Sequence, residues 1–333
     1  MSRENFGTTA TGLPVERITL DNGVLRASIL TFGATLQDLR LHGLDRSLTL
    51  GSPRVADYEP GGPLLHFGSI AGPVANRISG ATAGLDGQTL TFEPNGAGGH
   101  ALHGGKAGLG RKVWTVEKMT PTFLLLSTTA ADGEGGFPGN RRVEAEFALS
   151  DAAAMTLTLR AGTDAPTLVN LTNHSYWNLS PDPTFHLHEL KIDADAYLPT
   201  DADAMVTGEI LAVDGTPFDF RTARVLSEGD TLDHNFCLAR RRGALAHAVS
   251  LTSPDGVGME MATTEPGVQI YDGRHLPRQG VPGLGGRSYG PRAGVAIETQ
   301  LWPDAPNNPD FPSARLDPGQ AWEQITRFRF ILP

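Results

Sequence analysis

The chain has 333 residues, of which 19% are charged, and a formal net charge of −10. Its Lys and Arg residues do not cluster as they do in nucleic-acid-binding proteins, so no nucleic-acid partner is expected and a small or neutral partner is favoured. The 40 glycines and 24 prolines exceed average usage but stay below the level typical of disorder. The composition therefore predicts a folded chain with many turns.

The cellular compartment is predicted from cysteine content and from apolar runs. The single cysteine, Cys237, cannot form an internal disulfide, and residues 1–23 lack the apolar segment of a signal peptide. These features predict a protein of the reducing cytoplasm. No stretch approaches the roughly 18 apolar residues of a membrane span, so no membrane partner is expected. The oligomeric state is left open.

Apolar and polar residues alternate in several stretches, which is the pattern of half-buried β-strands. The clearest stretches are residues 25–29, 143–149, 155–159 and 328–332. Turn-favouring Asp-Gly and Pro-Gly pairs lie at residues 86–87, 132–133, 255–256 and 318–319. Long helical patterns, repeats and linker-like segments are absent. The sequence therefore predicts an all-β fold with little helix, a large antiparallel β-sandwich, as a single domain over residues 1–333.

Residues 294–301 are patterned as a buried strand that carries a carboxylate. A period of two places Val295, Ile297, Thr299 and Leu301 on one side and Ala296, Glu298 and Gln300 on the other. The apolar side is expected to face a core. A mid-strand charge is costly unless it is paired, hydrogen-bonded or exposed to water. Glu298 is therefore either a solvated outward residue or a site residue.

A second group of polar residues lies in residues 169–179. The alternation places Val169, Leu171 and Trp177 on one side and Asn170, Thr172, His174, Tyr176 and Asn178 on the other. Five hydrogen-bonding side chains in a row are typical of the lining of a polar cleft. A wet outer face of the sheet is an equally good interpretation of this segment alone.

Two histidines, His100 and His103, precede a run of glycines. Glycine allows close backbone approach to a ligand, and imidazole can donate to or accept from a sugar hydroxyl. A zinc site is the rival interpretation, but no third ligand at a suitable spacing accompanies the pair, so a metal-free site is favoured. Arg77 nearby is either a surface charge or a hydrogen-bonding fork for ligand oxygens.

Taken together, these segments resemble the aldose 1-epimerase (galactose mutarotase) family over nearly the whole chain. Seven motifs occur in the family's order: residues 76–78, 102–105, 170–179, 207–209 with 216–220, 233–236, 266–271, and 298–305 with 311–312. The pattern departs from the family at Gly72-Pro73 and at residues 271–274, which bears on sugar preference more than on chemistry. The resemblance implies a galactose mutarotase-like supersandwich fold and interconversion of the α and β anomers of a free aldohexose, such as D-glucose or D-galactose, without a cofactor.

The resemblance also implies roles for individual residues. Opening a hemiacetal requires a base for the C1 hydroxyl proton and an acid for the ring oxygen. Glu298 matches the family's base and His174 its acid, and His103 matches a second histidine that hydrogen-bonds the reacting region. The substrate-binding residues implied or suggested by position are Asn76, Arg77, Asp233, Gln269 and, from its place in the polar row, Tyr176. No metal is implied.

Three other functions remain as alternatives. Glu298 and Asp233 could be the carboxylate pair of a glycosidase. A hexose-phosphate epimerase would need a phosphate clamp, for which Arg274, Arg287 or Arg292 are candidates. The last two lie in a Gly-rich segment, residues 280–294, that is predicted to be a long loop. A non-catalytic sugar-binding module would keep the pocket and lose the acid or the base.

Overall fold

The computed structural model describes residues 1–333, and antiparallel strands dominate it. The largest sheet has nine strands, in the spatial order Thr115–Thr120, Phe123–Ala130, Arg141–Ser150, Ala154–Thr163, Trp322–Ile331, Gly258–Thr263, Ala246–Thr252, Glu189–Ile192 and Arg224–Val225. Its long strands bury every second residue. In Arg141–Ser150, Val143 and Phe147 are buried, whereas Arg142 and Glu144 lie on the other face and form an ion pair. This alternation separates an inner apolar face from an outer charged face.

A six-stranded sheet lies against the inner face of the nine-stranded sheet. Its strands, in spatial order, are Tyr176–Trp177, Val295–Gln300, Gly267–Tyr271, Asp233–Cys237, Ala196–Leu198 and Leu211–Ala212. The ring centroids of Trp177 and Phe328 are 5.2 Å apart across the two sheets. The Thr299 and Thr326 hydroxyls are 2.6 Å apart. The apolar face of the six-stranded sheet therefore faces the core, and its polar face is left to form a cavity.

Smaller sheets and short turns surround these two layers. A four-stranded sheet contains Ser2–Thr8, Pro14–Asp21, Leu25–Leu30 and Thr35–Leu41. Two-stranded pairs are Thr167–Leu168 with Arg315–Leu316, Thr172–Asn173 with Ile70–Ala71, Val281–Pro282 with Ser288–Tyr289, Arg77–Ile78 with Ala101–Leu102, and Thr82–Leu85 with Gln88–Thr91. The helical elements are three-residue 3₁₀ turns at Val55–Asp57, Ser79–Ala81, Ala97–Gly99, Gly105–Ala107, Leu109–Arg111, Glu134–Gly136, Leu284–Gly286 and Ala305–Asn307.

The predicted all-β class and the antiparallel sandwich are confirmed. The four alternating stretches lie in strands except for Leu332, which follows the end of Trp322–Ile331, and each of the four predicted turns separates two strands. The Asp86-Gly87 hairpin has both turn residues at positive φ, +50° and +76°, which is the geometry that favours these two residue types. No helix is long and apolar enough to cross a membrane. The extent of the domain, residues 1–333, stays a prediction.

Candidate active site

Strand register brings the polar residues of the six-stranded sheet together. Asn235 pairs with Gln269, and Gln269 pairs with Glu298, so these three side chains share one face across adjacent strands. Asp233 pairs with Tyr271 one step along the same face. Because directly opposed residues lie about 5 Å apart, this register assembles a polar floor from segments that are far apart in sequence.

The polar floor lies under a cavity of about 490 Å³. Three segments close its sides: Asn76 and His103 lie at the ends of two paired strands, and Asp203 lies in a separate loop. All of the residues that the sequence predicted as catalytic or substrate-binding line this one cavity: Asn76, Arg77, His103, His174, Tyr176, Asp233, Gln269 and Glu298. The separate motifs therefore converge on one place.

Glu298 and His174 form a close pair in the cavity wall. Glu298 Oε1 lies 3.5 Å from His174 Nε2, and the two residues are only 2% and 6% exposed. This distance is slightly beyond a hydrogen bond, which leaves the atoms free to engage a ligand. Glu298 Oε2 and His174 Nδ1 are also buried, and neither has a hydrogen-bond partner in the protein. Unsatisfied buried polar atoms are costly, and a catalytic role is one explanation for them.

His103 is fixed by reciprocal hydrogen bonds with Asn76. Its backbone N–H donates to the Asn76 carbonyl at 3.0 Å, and its Nδ1 accepts from the Asn76 backbone N–H at 3.1 Å. Both residues have left-handed backbones, with φ of +51° and +61°. An imidazole whose Nδ1 accepts must, when neutral, carry its proton on Nε2. His103 therefore presents an N–H donor.

Arg77, Asp233 and Gln269 provide the other polar contacts of the cavity. Asp233 Oδ1 accepts from Gln269 Nε2 at 2.7 Å, which orients both side chains. Arg77 Nη1 lies 3.5 Å from Asn76 Oδ1, and the guanidinium forms no ion pair within 4.0 Å. Because Arg77 has donors in a planar fork, several of them remain available for hydroxyl oxygens of a ligand.

The family relationship is established by comparison with known proteins. A family model described as aldose 1-epimerase matches residues 16–329. The chain belongs to the aldose 1-epimerase family. Among its relatives, the galactose mutarotase of Bos taurus is 36% identical over 99% of this chain and 98% of its own length. The aldose 1-epimerase of Escherichia coli K12 is 32% identical over 99% of each chain. The predicted enzyme class, an isomerase, is confirmed.

Solved structures of aldose 1-epimerase family members have the same fold. An aldose epimerase homologue from C. elegans superposes with a TM-score of 0.87 at 30% identity, covering 95% of this chain and 98% of that one. The galactose 1-epimerase of Lactobacillus acidophilus gives a TM-score of 0.84 at 23% identity, covering 99% and 98%. The predicted galactose mutarotase-like architecture is thereby confirmed.

The charge states of Glu298 and His174 differ from the sequence-based expectation of a carboxylate beside an imidazolium. Burial raises the pKa of Glu298 well above its ordinary value, and Asp233 raises it further while Arg77 lowers it. Burial also lowers the pKa of His174 to about 3, helped by the nearby His66. Both shifts favour the uncharged forms of this pair, a carboxylic acid beside a neutral imidazole.

The fold changes which residues could form the zinc site that was considered as an alternative. His100 does not line the cavity, because its Nδ1 accepts from the Gly80 N–H at 3.1 Å outside it. His103, His174 and Glu298 instead offer ligand atoms within 4.8 Å of one another. Binding a cation there would require a lone pair on the free nitrogen of His103. That nitrogen is Nε2, which carries the proton, so the donor set does not fit a metal ion.

Residues 169–179 do not form the continuous strand that their alternation predicted. Val169, Leu171 and Trp177 are in the core, and His174 and Tyr176 line the cavity, as expected. The expectation was wrong for Asn170, Thr172 and Asn178, which lie outside the cavity lining. Asn170 Oδ1 accepts from the Leu301 N–H, and Asn178 Nδ2 donates to the Ala293 carbonyl. Buried loop backbone needs partners, and these amides supply them.

The three arginines suggested as phosphate ligands lie outside the cavity lining. Arg274 Nε donates to Asp272 at 2.8 Å. Arg287 donates to the Asp182 carbonyl, and Arg292 donates to the Glu228 and Asp230 carbonyls. Their donors are therefore used in holding loops. The segment 280–294 that carries two of them contains two short strands and a 3₁₀ turn, so it is more ordered than the predicted long loop.

Besides Tyr271, sequence reasoning missed three polar residues of the cavity: His66, Asp203 and His275. His275 Nδ1 lies 3.1 Å from the Tyr271 hydroxyl, and Tyr271 also lines the cavity. All three missed residues lie in loops without a periodic pattern.

Proposed function

We propose that this protein interconverts the α and β anomers of a free aldohexose, D-galactose or D-glucose, using Glu298 and His174 as the proton-transfer pair. The observation that carries the proposal is the buried contact of 3.5 Å between Glu298 Oε1 and His174 Nε2 at the floor of a polar cavity. Full-length relatives named galactose mutarotase and aldose 1-epimerase support the same reaction.

The reaction needs two proton transfers at neighbouring oxygens. Glu298 takes the proton of the C1 hydroxyl, and His174 gives a proton to the ring oxygen as the bond between C1 and that oxygen breaks. Rotation about the C1–C2 bond then presents the other face of the aldehyde. The reverse transfers close the ring, so each group returns to its starting state. His103 donates its Nε2–H to an oxygen of this reacting region.

For these roles the proton must lie on His174 when the sugar reacts. A carboxylic acid with a neutral imidazole and a carboxylate with an imidazolium contain the same number of protons, so the change requires no proton from solvent. Arg77 favours the carboxylate form, since its charge lowers the pKa of Glu298. The pair is therefore suited to pass one proton back and forth over the substrate.

The remaining cavity residues hold the sugar in the reactive pose. Arg77 and Asn76 line one side of the cavity, and Asp233 and Gln269 line its floor. Hydroxyls bound by a carboxylate, an amide and a guanidinium are held with directional hydrogen bonds, which lowers the entropic cost of reaching the transition state. Tyr176 contributes a neutral phenol, because burial raises its pKa well above the ordinary value.

Polarimetry tests the proposal. Freshly dissolved α-D-galactose and α-D-glucose should approach their equilibrium rotation faster with the protein than in buffer alone, and EDTA should leave that rate unchanged. A rate that depends on added metal would contradict the proton-transfer account. A protein that accelerates neither sugar nor any other common aldose would contradict the proposed activity.

The rival functions are less well supported. The hexose-phosphate alternative is less well supported because none of the three candidate phosphate ligands, Arg274, Arg287 and Arg292, lines the cavity. A glycosidase would release an aglycone, which a chromogenic glycoside detects. A binding module would not need the buried acid–base pair. The lone cysteine and the acidic composition support a cytoplasmic enzyme whose partner is a small sugar, without nucleic-acid or membrane partners.

A further inference from the structure

His66 lines the cavity beside the catalytic histidines, although no family motif of the sequence includes it. Its ring centroid lies 4.9 Å from that of His103 and 6.2 Å from that of His174. His66 is partly exposed to the cavity, whereas the other two rings are buried. A ligand that touches His103 and His174 would therefore lie within reach of a third imidazole.

The two ring nitrogens of His66 form no hydrogen bond within the protein. Its only hydrogen bonds are made by its backbone carbonyl, which accepts from the Ser69 N–H at 3.1 Å and from the Ser69 hydroxyl at 3.0 Å. The pKa of His66 is lowered to about 4 by burial and by the charge of Arg111. The neutral ring therefore offers one donor and one acceptor to whatever fills the cavity.

The backbone at His66 is strained, and its surroundings hold it in place. His66 has a φ of +73°, a left-handed conformation that is unfavourable for a residue other than glycine. Gly68 N–H donates to the His174 carbonyl at 2.8 Å, and Asn173 Nδ2 donates to the Gly68 carbonyl at 2.7 Å. These bonds fix the His66 turn directly onto the segment that carries the proposed acid. Strain maintained at a cavity wall favours a functional position.

We propose that His66 is a substrate-binding residue that hydrogen-bonds the hydroxyl on C2 or on C6 of the aldose. The inference rests on the proposed function. With the C1 hydroxyl and the ring oxygen held between Glu298 and His174, the adjoining positions of the sugar are C2 and the hydroxymethyl carbon on C5. His66 lies next to the histidines that contact this reacting region, so it reaches one of these two hydroxyls and thereby selects among aldoses.

Deoxy sugars test the contact. His66→Phe keeps a ring of similar size but removes both hydrogen-bonding atoms, so kcat/KM for D-galactose should fall by about 10-fold, the effect of one lost neutral hydrogen bond. For the deoxy sugar that lacks the contacted hydroxyl, the same variant should show no fall. The two arms are 2-deoxy-D-galactose for C2 and 6-deoxy-D-galactose for C6. His66→Asn, which tolerates the left-handed backbone and keeps polar atoms, should retain more activity on D-galactose than His66→Phe.

The outcomes distinguish failure of the His66 contact from failure of the proposed function. If wild-type protein is active and His66→Phe slows D-galactose and both deoxy sugars equally, or slows none of them, the contact is overturned while the proposed function stands. If the wild type accelerates no aldose, the proposed function fails. Saturation-transfer NMR of the three sugars with wild type and His66→Phe then decides the contact, because only sugars with the contacted hydroxyl should lose binding.

Discussion

Glu298 is the residue whose substitution separates chemistry from binding. Glu298→Gln closely mimics the carboxylic acid that burial favours, so folding and sugar affinity should be retained. The amide cannot take the C1 hydroxyl proton, and kcat should fall by on the order of 10²-fold or more. Polarimetry gives the rate, and calorimetry with D-galactose gives the affinity. Near-normal turnover would mean that the base lies elsewhere.

The two histidines should differ in the kinetic parameter that they control. His174→Asn removes the proposed acid, so kcat should fall by at least about 10²-fold. His103→Asn removes a fixed N–H donor that an amide can partly replace, so the loss should be smaller, about 10-fold, and appear partly in KM. Steady-state polarimetry of both variants gives the comparison. Equal losses in kcat would indicate that the two rings share the acid role.

The pH dependence follows from the coupled pair. The one-proton state loses its proton only at the raised pKa of Glu298, and it gains a second only near the His174 pKa of about 3. After subtraction of the buffer rate, the enzymatic rate should therefore show no half-titration of His174 near the ordinary histidine pKa of about 6.5. Measuring kcat/KM from about pH 5 to 8 tests this. A half-titration near 6.5 would show that His174 ionises like an exposed imidazole.

At the scale of single elements, the turn at His103-Gly104 determines where a catalytic side chain lies. The sequence suggested that glycine here allows close approach to a ligand, and the structure shows a close approach to protein backbone. A Cβ on Gly104 would lie 2.4 Å from the Gly72 carbonyl oxygen, so the close neighbour is protein backbone. The glycine lets two loops meet and thereby places His103 in the cavity.

Two glycine variants distinguish the cost of a left-handed backbone from the displacement of His103. Gly104 and Gly43 have φ of +80° and +93°, but a Cβ on Gly43 would meet nothing within 4 Å. Both alanine variants should lose about 1–2 kcal/mol of stability from the left-handed backbone. Only Gly104→Ala should also lower kcat/KM, by 10-fold or more, because His103 moves. Urea unfolding and polarimetry give the two quantities. Equal activity of the two variants would contradict the positioning role of the turn.

The elements that sequence predicted well are those whose pattern is local. Long strands such as Arg141–Ser150 alternate strictly, and Glu298 stood out because a charge interrupts such a pattern. The segment 169–179 alternates equally well, yet it forms two two-residue strands separated by residues 174–175. Both sides of this segment are buried, so its alternation does not mark one exposed face. Hydrogen bonds to other segments interrupt the strand. Loop residues such as His66 have no period and could not be placed from sequence.

For the whole molecule, buried neutral histidines link stability to pH. His188 is fully buried, its Nε2 accepts from the Leu179 N–H at 3.1 Å, and burial lowers its pKa to about 4 from an ordinary 6.5. Between these values the unfolded chain binds more protons than the folded one. The contribution of His188 is thus fully present above pH 6.5 and is lost as pH falls toward 4.

His188→Gln measures this contribution, since glutamine can accept the same hydrogen bond but does not titrate. Between pH 7.5 and pH 5 the wild type should lose about 2 kcal/mol more unfolding free energy than the variant. Urea unfolding at both pH values gives the difference. An equal loss in the two proteins would show that His188 is protonated in the folded state or does not contribute.

Long-range strand order also could not be predicted from sequence, because pairing partners are chosen by the whole core. The strand Trp322–Ile331 lies at the middle of the nine-stranded sheet, between Ala154–Thr163 and Gly258–Thr263. A ribosome must therefore release nearly all of the residues up to 331 before the two halves of this sheet can join. Until then, the nascent chain exposes two open sheet edges, at which strands of other chains could pair.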